Sequence, residues 1–377
     1  MADNFKGDWA ERRERFERWW MVKNDDRPLL NIQAPLRKGA IGPGNDRWVS
    51  SSSGENVVQQ TTEKEGEDYT AYWTDIDTVL DRFRRIFNAT YYTAETYPRL
   101  FPNLGVASLA AFLGGCPVFA KDTIWYKAVF TDVEKVELEF DRRNPWLQWS
   151  LSFARRATDL SDGAYLVGIP DIVENLDVLG CLFESGQVML DIVDHPEDMH
   201  RLLRKVQEAW FKVYELHHAI STDAKGYSNF GPFQLLGKGR VAKLQCDMSA
   251  MISTYMFEEF VLPYLAEQVA SLDRSLYHLD GVDALRHLDL VLSLEGLTAL
   301  QWTPGSGKPD GGDECWDFIY RKALDRGKCI YALVAPSNVE GFIRRFGSRG
   351  VYILTQAEDA EAAEALVKSV ERITRGG

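Results

Sequence analysis

The sequence predicts an α/β protein, in particular a (β/α)8 TIM barrel with an N-terminal extension and a long early insertion. In the C-terminal half, short apolar segments alternate with helical patterns, which is typical of a parallel sheet. About eight such strands can be named when Leu29–Ala34 is included, and a barrel requires eight. Polar residues close several of these strands, where barrels and doubly wound sheets carry their chemistry. An open doubly wound sheet is the alternative fold.

The first part of the chain does not follow that alternation. Residues 1–28 form a predicted helical extension, in which aromatic side chains recur at roughly helical spacing. A strand over 29–35 comes next. Residues 36–160 read largely as an insertion, which begins with a polar loop rich in Gly and Ser. We therefore expect a single barrel domain over residues 1–377 that carries both additions.

From residue 165 onward the predicted strands are short apolar runs, several of which end in a polar residue. These strands cover 165–171, 226–230, 241–247, 275–280, 299–302, 329–334 and 350–355. The segments between them have apolar residues at helical spacing. They predict helices over 196–219, 255–272, 282–293, 315–326, 338–346 and 358–374.

Composition excludes several classes of partner. The net charge of −13 disfavours nucleic acids and anionic membranes, which require a basic surface. No apolar run reaches transmembrane length, and the N-terminus does not resemble a signal peptide. Five dispersed cysteines without a C-x-x-C pair indicate reduced thiols and a cytoplasmic protein. The letters Gly237-x-Gly239-x-x-Ala242 match a dinucleotide fingerprint, but a strand is predicted after them, so the match is rejected.

The most informative stretch runs from Ser275 to Gly281. His278 and Asp280 lie two residues apart at the end of a predicted strand, so their side chains point to the same face. They can converge as metal ligands or as an acid/base pair. His278 could instead be a core histidine, and Asp280 could simply begin a turn.

Other strand ends add polar and aromatic residues to the same predicted rim. The predicted catalytic residues are His278, Asp280 and Asp247. The predicted substrate-binding residues are Asp171, Gln245, Gln301, Trp302, Trp73, Tyr277 and Asn103. Aromatic rings beside polar loops suit the wall of a pocket. Several acids have a simpler alternative, because Asp171 and Asp247 could cap helices and Glu358 could form a capping box with Thr355.

Four segments carry a family resemblance. Residues 247–253 and 257–264 read DMSAMIS and FEEFVLPY, 277–281 read YHLDG, and 350–354 read GVYIL. They resemble a strand-end segment, an F-x-E-F-V-L-P-Y helix, an H-x-C-G strand end and the last strand of the uroporphyrinogen decarboxylase superfamily. That family includes corrinoid-dependent methyltransferases that act on thiols and the methyl-transfer components of O-demethylases. The resemblance covers about residues 165–374 and implies a (β/α)8 barrel.

The sequence departs from the family pattern at two places, and these departures restrict the reaction and the metal ligands that the resemblance implies. Decarboxylases of the family carry an Arg-rich M-R-Q-A-G-R segment that grips substrate carboxylates, and residues 31–37 lack it. The zinc-bearing methyltransferases use one His and two Cys. Here His278 is kept, Asp280 replaces the first Cys, and the second falls near Glu358. The resemblance thus implies zinc on His278, Asp280 and Glu358, and oxygen ligands suit polarisation of an ether or hydroxyl better than thiol activation. A site without metal is the alternative.

We therefore expect an enzyme. The resemblance implies a methyltransferase that moves a methyl group from a small methoxylated or methylated substrate to a corrinoid carried by a partner protein. One alternative is a cofactor-free decarboxylase or lyase that uses His278 and Asp280 as an acid/base pair. The other is a non-catalytic polyol or sugar binding protein, because one barrel can host many functions.

Overall fold

The computed structural model describes residues 5, 8–38, 47–50, 56–59, 68–121 and 123–375. Much of the predicted loop at the start of the insertion lies outside these residues. The strands are β1 (Leu29–Pro35), β2 (Arg47–Ser50), β3 (Asn56–Gln59), β4 (Thr90–Tyr91), β5 (Arg99–Leu100), β6 (Cys116–Phe119), β7 (Ile124–Lys127), β8 (Leu166–Val167), β9 (Tyr227–Phe230), β10 (Leu235–Lys238), β11 (Val241–Gln245), β12 (Arg274–Asp280), β13 (Ala299–Thr303), β14 (Cys329–Leu333) and β15 (Val351–Gln356).

The helices precede, interrupt and follow these strands. They are α1 (Trp9–Trp20), α2 (Thr70–Thr74), α3 (Ile76–Ala89), α4 (Ser108–Phe112), α5 (Pro145–Ser161), α6 (Asn175–Phe183), α7 (Ser185–Asp194), α8 (Pro196–Ser221), α9 (Thr254–Phe260), α10 (Leu262–Ser271), α11 (Leu288–Ser293), α12 (Asp317–Asp325), α13 (Val339–Phe346) and α14 (Ala360–Arg375). Among the described residues, none of the helices combines the length and the apolar character that crossing a bilayer requires.

A mostly parallel sheet forms the centre of the fold, so the predicted α/β class is confirmed. Its strand order is β11-β12-β13-β14-β15-β1-β4, and only the last pair is antiparallel. The strands are buried on both faces, as parallel sheets covered by helices are. The register sets Gln245, His278 and Gln301 side by side on β11, β12 and β13.

A closed eight-stranded barrel is not shown. Beyond the seven-stranded sheet, the described residues contribute the short parallel pair β5–β8, the antiparallel pairs β2–β3, β6–β7 and β9–β10, and two isolated bridges, Ala107 to Ile172 and Ile169 to Phe230. The strand predicted over 165–171 is therefore reduced to β8. Its neighbours explain why, because a Cβ on Gly168 would lie 2.6 Å from Gly231 and Pro170 has no N–H to donate to a ladder.

The predicted N-terminal helix belongs to the same hydrophobic core as the sheet. Phe16 and Trp19 of α1 are 0% exposed, and the Trp19 indole donates a hydrogen bond to the Gly350 carbonyl at 3.1 Å. The helix predicted over 255–272 is two helices, α9 and α10. They meet just before Pro263, whose ring cannot continue the hydrogen-bonding pattern of α9.

Candidate functional site

A cavity of about 360 Å³ opens where β11, β12 and β13 end. Its floor comes from the strand ends, and its upper wall comes from α2, α3 and the segments around β5 and β7. The lining residues that the site uses are Trp73, Arg82, Arg99, Asn103, Asp171, Phe233, Gln245, Asp247, His278 and Asp280. The carboxyl ends of parallel strands are where such α/β folds place ligand sites.

Two acids and one imidazole meet at the floor of this cavity. Asp247, His278 and Asp280 each offer a ligand atom, and these atoms lie within 4.8 Å of one another. The two-residue period of β12 projects His278 and Asp280 to one side, and Asp247 follows the neighbouring strand. The predicted convergence of these three side chains is therefore present. One nitrogen and two oxygen ligands with an open side suit a catalytic divalent cation.

The imidazole is held neutral. Burial lowers the pKa of His278, and the nearby Lys243 ammonium lowers it further. Phe233 packs edge-on against the ring, with centroids 5.2 Å apart. A neutral imidazole is the form that binds a metal or accepts a proton.

A buried lysine lies behind the acids, and the sequence reasoning missed it. Lys243 of β11 has no exposed side-chain area, and its ammonium lies 2.7 Å from Asp171 Oδ1. It also donates a hydrogen bond to Gln245 Oε1. Asp171 is thus an ion-pair partner rather than a helix cap. The missed signal was the alternation of Lys243, Gln245 and Asp247 at every second position, which puts all three on one side.

Two further carboxyls support the backbone beneath the site. Glu174 Oε1 accepts a hydrogen bond from the backbone N–H of Gln245 at 2.7 Å. The two oxygens of Asp177 accept hydrogen bonds from the Asp247 and Met248 amides, each at 2.9 Å. Both acids precede or begin α6, so no strand periodicity in the sequence pointed to them. They fix the chain where it turns away from β11.

Burial raises the pKa of three carboxyls in this region, those of Asp247, Asp177 and Glu174. It raises the pKa of Asp247 to about 6, against the Lys243 charge, which lowers it. It raises the pKa of Asp177 to about 7, and the charge of Asp247 adds to that rise. Burial also raises the pKa of Glu174 well above its usual range. Carboxyls that hold protons near neutral pH are typical of catalytic sites.

The upper wall of the cavity is aromatic and basic. The Trp73 indole donates a hydrogen bond to the Ala120 carbonyl at 2.7 Å, which ties α2 to the β6–β7 hairpin. The Arg82 guanidinium lies 3.9 Å from the centre of the Tyr72 ring. Asn103 lines the cavity and accepts a hydrogen bond from the Gly105 amide at 2.9 Å. Trp73 and Asn103 thus lie where substrate-binding residues would, whereas sequence reasoning missed both arginines of the lining.

Three predicted substrate-binding residues do not line the cavity. Tyr277 is 1% exposed and points to the other side of β12, because it is adjacent to His278. Trp302 is 0% exposed and packs against the Trp316 ring with centroids 5.3 Å apart. Gln301 is 0% exposed and lies behind His278, to which its Oε1 is hydrogen-bonded. None of these side chains is placed to touch a ligand in the cavity.

The structure also does not bring Glu358 to the predicted metal site. Its side chain is 72% exposed and forms an ion pair with Lys38. The reason is local, because the chain turns outward at Ala357, whose amide bonds to the Gln33 carbonyl at 3.0 Å. Asp247 is instead the third residue whose ligand atom lies close to those of His278 and Asp280. The capping role suggested for Glu358 falls to Asp359, which accepts a hydrogen bond from the Ala362 amide at 2.9 Å.

The raised pKa of Glu174 predicts that this residue stabilises the fold less as pH rises, the reverse of a carboxyl whose pKa is lowered by folding. A carboxyl whose pKa is higher in the folded state stabilises the fold fully below its unfolded pKa. That contribution is lost as pH rises through the folded pKa. We expect Glu174→Gln, which keeps the hydrogen bond to Gln245 and cannot ionise, to gain stability relative to wild type as pH rises from 5 to 8.5. Urea unfolding of the metal-free protein at several pH values measures this.

The control for that experiment is Glu340→Gln, a substitution at an exposed position of α13. It should follow the wild type at every pH. If Glu174→Gln also stayed parallel to the wild type, the buried Glu174 carboxyl would not be protonated in the folded protein.

No family model and no curated protein matches the chain. Among solved structures, the fold is similar to that of a methyltransferase from Methanosarcina mazei. The two have a TM-score of 0.50 and 12% sequence identity over 73% of this chain and 80% of that chain. At this identity the likeness shows a shared fold, and the chemistry has to be argued from the site.

Proposed function

We propose that this protein is a metal-dependent methyltransferase on a (β/α)8 barrel. It would move a methyl group from a small methoxylated or methylated substrate to a reduced corrinoid on a partner protein. The observation that carries the proposal is the group of Asp247, His278 and Asp280, whose ligand atoms lie within 4.8 Å of one another at the floor of a cavity. The similar fold of the methyltransferase from Methanosarcina mazei is consistent with it.

Zinc is a metal that these residues fit. Catalytic zinc sites use three protein ligands from His, Asp or Glu and keep one position open for water or substrate. When bound, zinc would supply a Lewis acid that polarises the oxygen or other donor atom of the substrate. His278, Asp280 and Asp247 would hold it, and the cavity would hold the substrate.

The residues of the chain would then bind and orient the donor. The aromatic wall around Trp73 packs against an apolar or ring-shaped substrate, and excludes water from the reacting carbon. In the transfer, the bond between the methyl carbon and its donor atom breaks, and its electron pair stays on the donor. A reduced corrinoid would supply the electron pair for the new bond to carbon. An ether oxygen that leaves in this way takes up one proton.

A cofactor-free decarboxylase or lyase is the second candidate. Two observations favour it, namely the pKa of about 6 for Asp247 and the arginines in the cavity wall. The charges of Arg82 and Arg99, which line the cavity and also donate hydrogen bonds within the protein, would favour a substrate that carries a carboxylate. As CO2 leaves, the electron pair of the broken bond stays on carbon, and Asp247 would supply the proton that replaces it.

Metal analysis and a transfer assay on the same preparation test the proposal. We expect about one zinc per chain, and methylation of a reduced corrinoid by at least one substrate of a panel of aryl ethers and methylated amines. Removal of the metal by a chelator should abolish transfer, and added zinc should restore it. Turnover without corrinoid that survives chelation would establish the lyase instead. Ligand-induced thermal stabilisation without any product would point to a binding protein.

A further inference from the structure

Two buried glutamines flank His278 in the sheet. The parallel register pairs Gln245 of β11 and Gln301 of β13 with His278 of β12. Gln301 is 0% exposed and Gln245 is 2% exposed. Each makes a side-chain hydrogen bond to one member of the proposed metal-binding group. Burying a polar amide costs free energy unless it is hydrogen-bonded. The hydrogen bonds of the two glutamines therefore show how their side-chain amides are oriented.

The hydrogen bonds of Gln301 fix the tautomer of His278. Gln301 Nε2 donates to the Trp302 carbonyl at 2.9 Å and to Thr303 Oγ1 at 2.9 Å. Because a carbonyl can only accept, the amide nitrogen must lie on that side and Oε1 must face His278. Gln301 Oε1 can only accept as well, so His278 Nδ1 carries the hydrogen. In the neutral ring, Nε2 then has a free lone pair.

The same reasoning orients Gln245. Its Oε1 accepts a hydrogen bond from the Lys243 ammonium, which has only donors. Its Nε2 therefore donates to Asp247 Oδ2 at 2.9 Å. This bond holds one oxygen of the carboxylate and leaves Oδ1 for another ligand. A chain of hydrogen bonds thus runs from Lys243 through Gln245 to Asp247 at the cavity floor, and each residue donates to the next.

We propose that Gln301 and Gln245 are positioning residues of the metal site. Gln301 holds His278 as the Nδ1–H tautomer, so that Nε2 is the ligand atom, and Gln245 holds Asp247 with one oxygen directed to the ion. Both residues were predicted from the sequence to bind substrate, and the proposal assigns both of them a different role. The inference rests on the proposed metal function, but the tautomer exists without metal and can be measured separately.

The decisive experiment observes the imidazole in the metal-free protein. Long-range 1H–15N correlation spectra distinguish the two neutral tautomers, and the His278 signals are identified by their loss in His278→Ala. We expect the Nδ1–H tautomer in the wild type. Gln301→Leu should give a mixture with the Nε2–H form, because it removes the acceptor that faces His278 Nδ1. Gln207→Leu, at a buried glutamine of α8, is the control and should change nothing.

Cobalt(II) titration supplies the second measurement. Gln301→Leu and Gln245→Leu should each weaken cobalt binding by about 10–100-fold relative to Gln207→Leu, the range typical of residues that orient metal ligands. An Nε2–H tautomer in the wild type would overturn the inference, even if Gln301→Leu failed to fold. So would cobalt binding that neither substitution changes. The expected tautomer in a wild type that binds no metal would support the assignment and reject the metal-dependent function.

Discussion

Replacing His278 with alanine is expected to remove both metal binding and methyl transfer. His278 supplies the only nitrogen among the three convergent ligands, and its loss leaves only the carboxylates of Asp247, whose pKa burial raises to about 6, and Asp280. We expect the zinc affinity to fall by more than about 100-fold, beyond the effect typical of residues that merely orient a ligand. Transfer should fall to background. Isothermal titration with zinc and the corrinoid methylation assay measure the two effects.

A second acid and imidazole group provides the matched control. Glu134, His195 and Asp198 also place ligand atoms within 4.8 Å of one another, on another part of the described structure. Asp198 is engaged there by Arg201 at 2.9 Å, so we expect little metal at this group. His195→Ala should therefore keep the metal and the activity. If zinc were lost in His195→Ala and retained in His278→Ala, the proposed centre would be in the wrong place.

The predicted convergence of His278, Asp280 and Asp247 depended on two simple rules. Residues two apart in a strand share a face, and the carboxyl ends of parallel strands meet at one edge. The first rule needs only the position of a strand, and the second needs only a parallel sheet. The alternation of strands and helices in the sequence predicts both. The same alternation predicted the parallel sheet itself. Lys243 could have been found in the same way, as a charged residue facing the same side as Gln245.

Other features could not be predicted from strand periodicity. Glu174 and Asp177 reach the site from the start of α6, and Arg82 reaches it from α3, so their positions depend on how distant segments pack. Glu358 was assigned to the metal by resemblance, and the outward turn at the end of β15 carries it to the surface. For Trp302 the error concerns the direction of the side chain and not the position of the residue in the fold. Its strand was predicted correctly, but it lies on the buried side and packs against Trp316.

Lys243→Met is expected to cause the largest loss of stability of any single change considered. The substitution removes a fully buried cation and leaves Asp171 buried without its ion-pair partner. Breaking a buried pair in this way typically costs about 3–5 kcal/mol. The free energy of unfolding, measured in urea by tryptophan fluorescence, should fall by that amount. Arg344→Met breaks an exposed pair with Glu340 on α13 and should cost less than about 1 kcal/mol.

The double variant Lys243→Met with Asp171→Asn separates the ion pair from simple packing. If the cost arises because a charge is left unpaired, neutralising Asp171 should recover a large part of it, and the two single effects will not add. The pKa of His278 gives an independent measurement. Burial is the main cause that lowers it and Lys243 is the second, so the pKa should rise in Lys243→Met. Strict additivity of the two substitutions, with an unchanged His278 pKa, would mean that Lys243 fills space without setting the charge balance of the site.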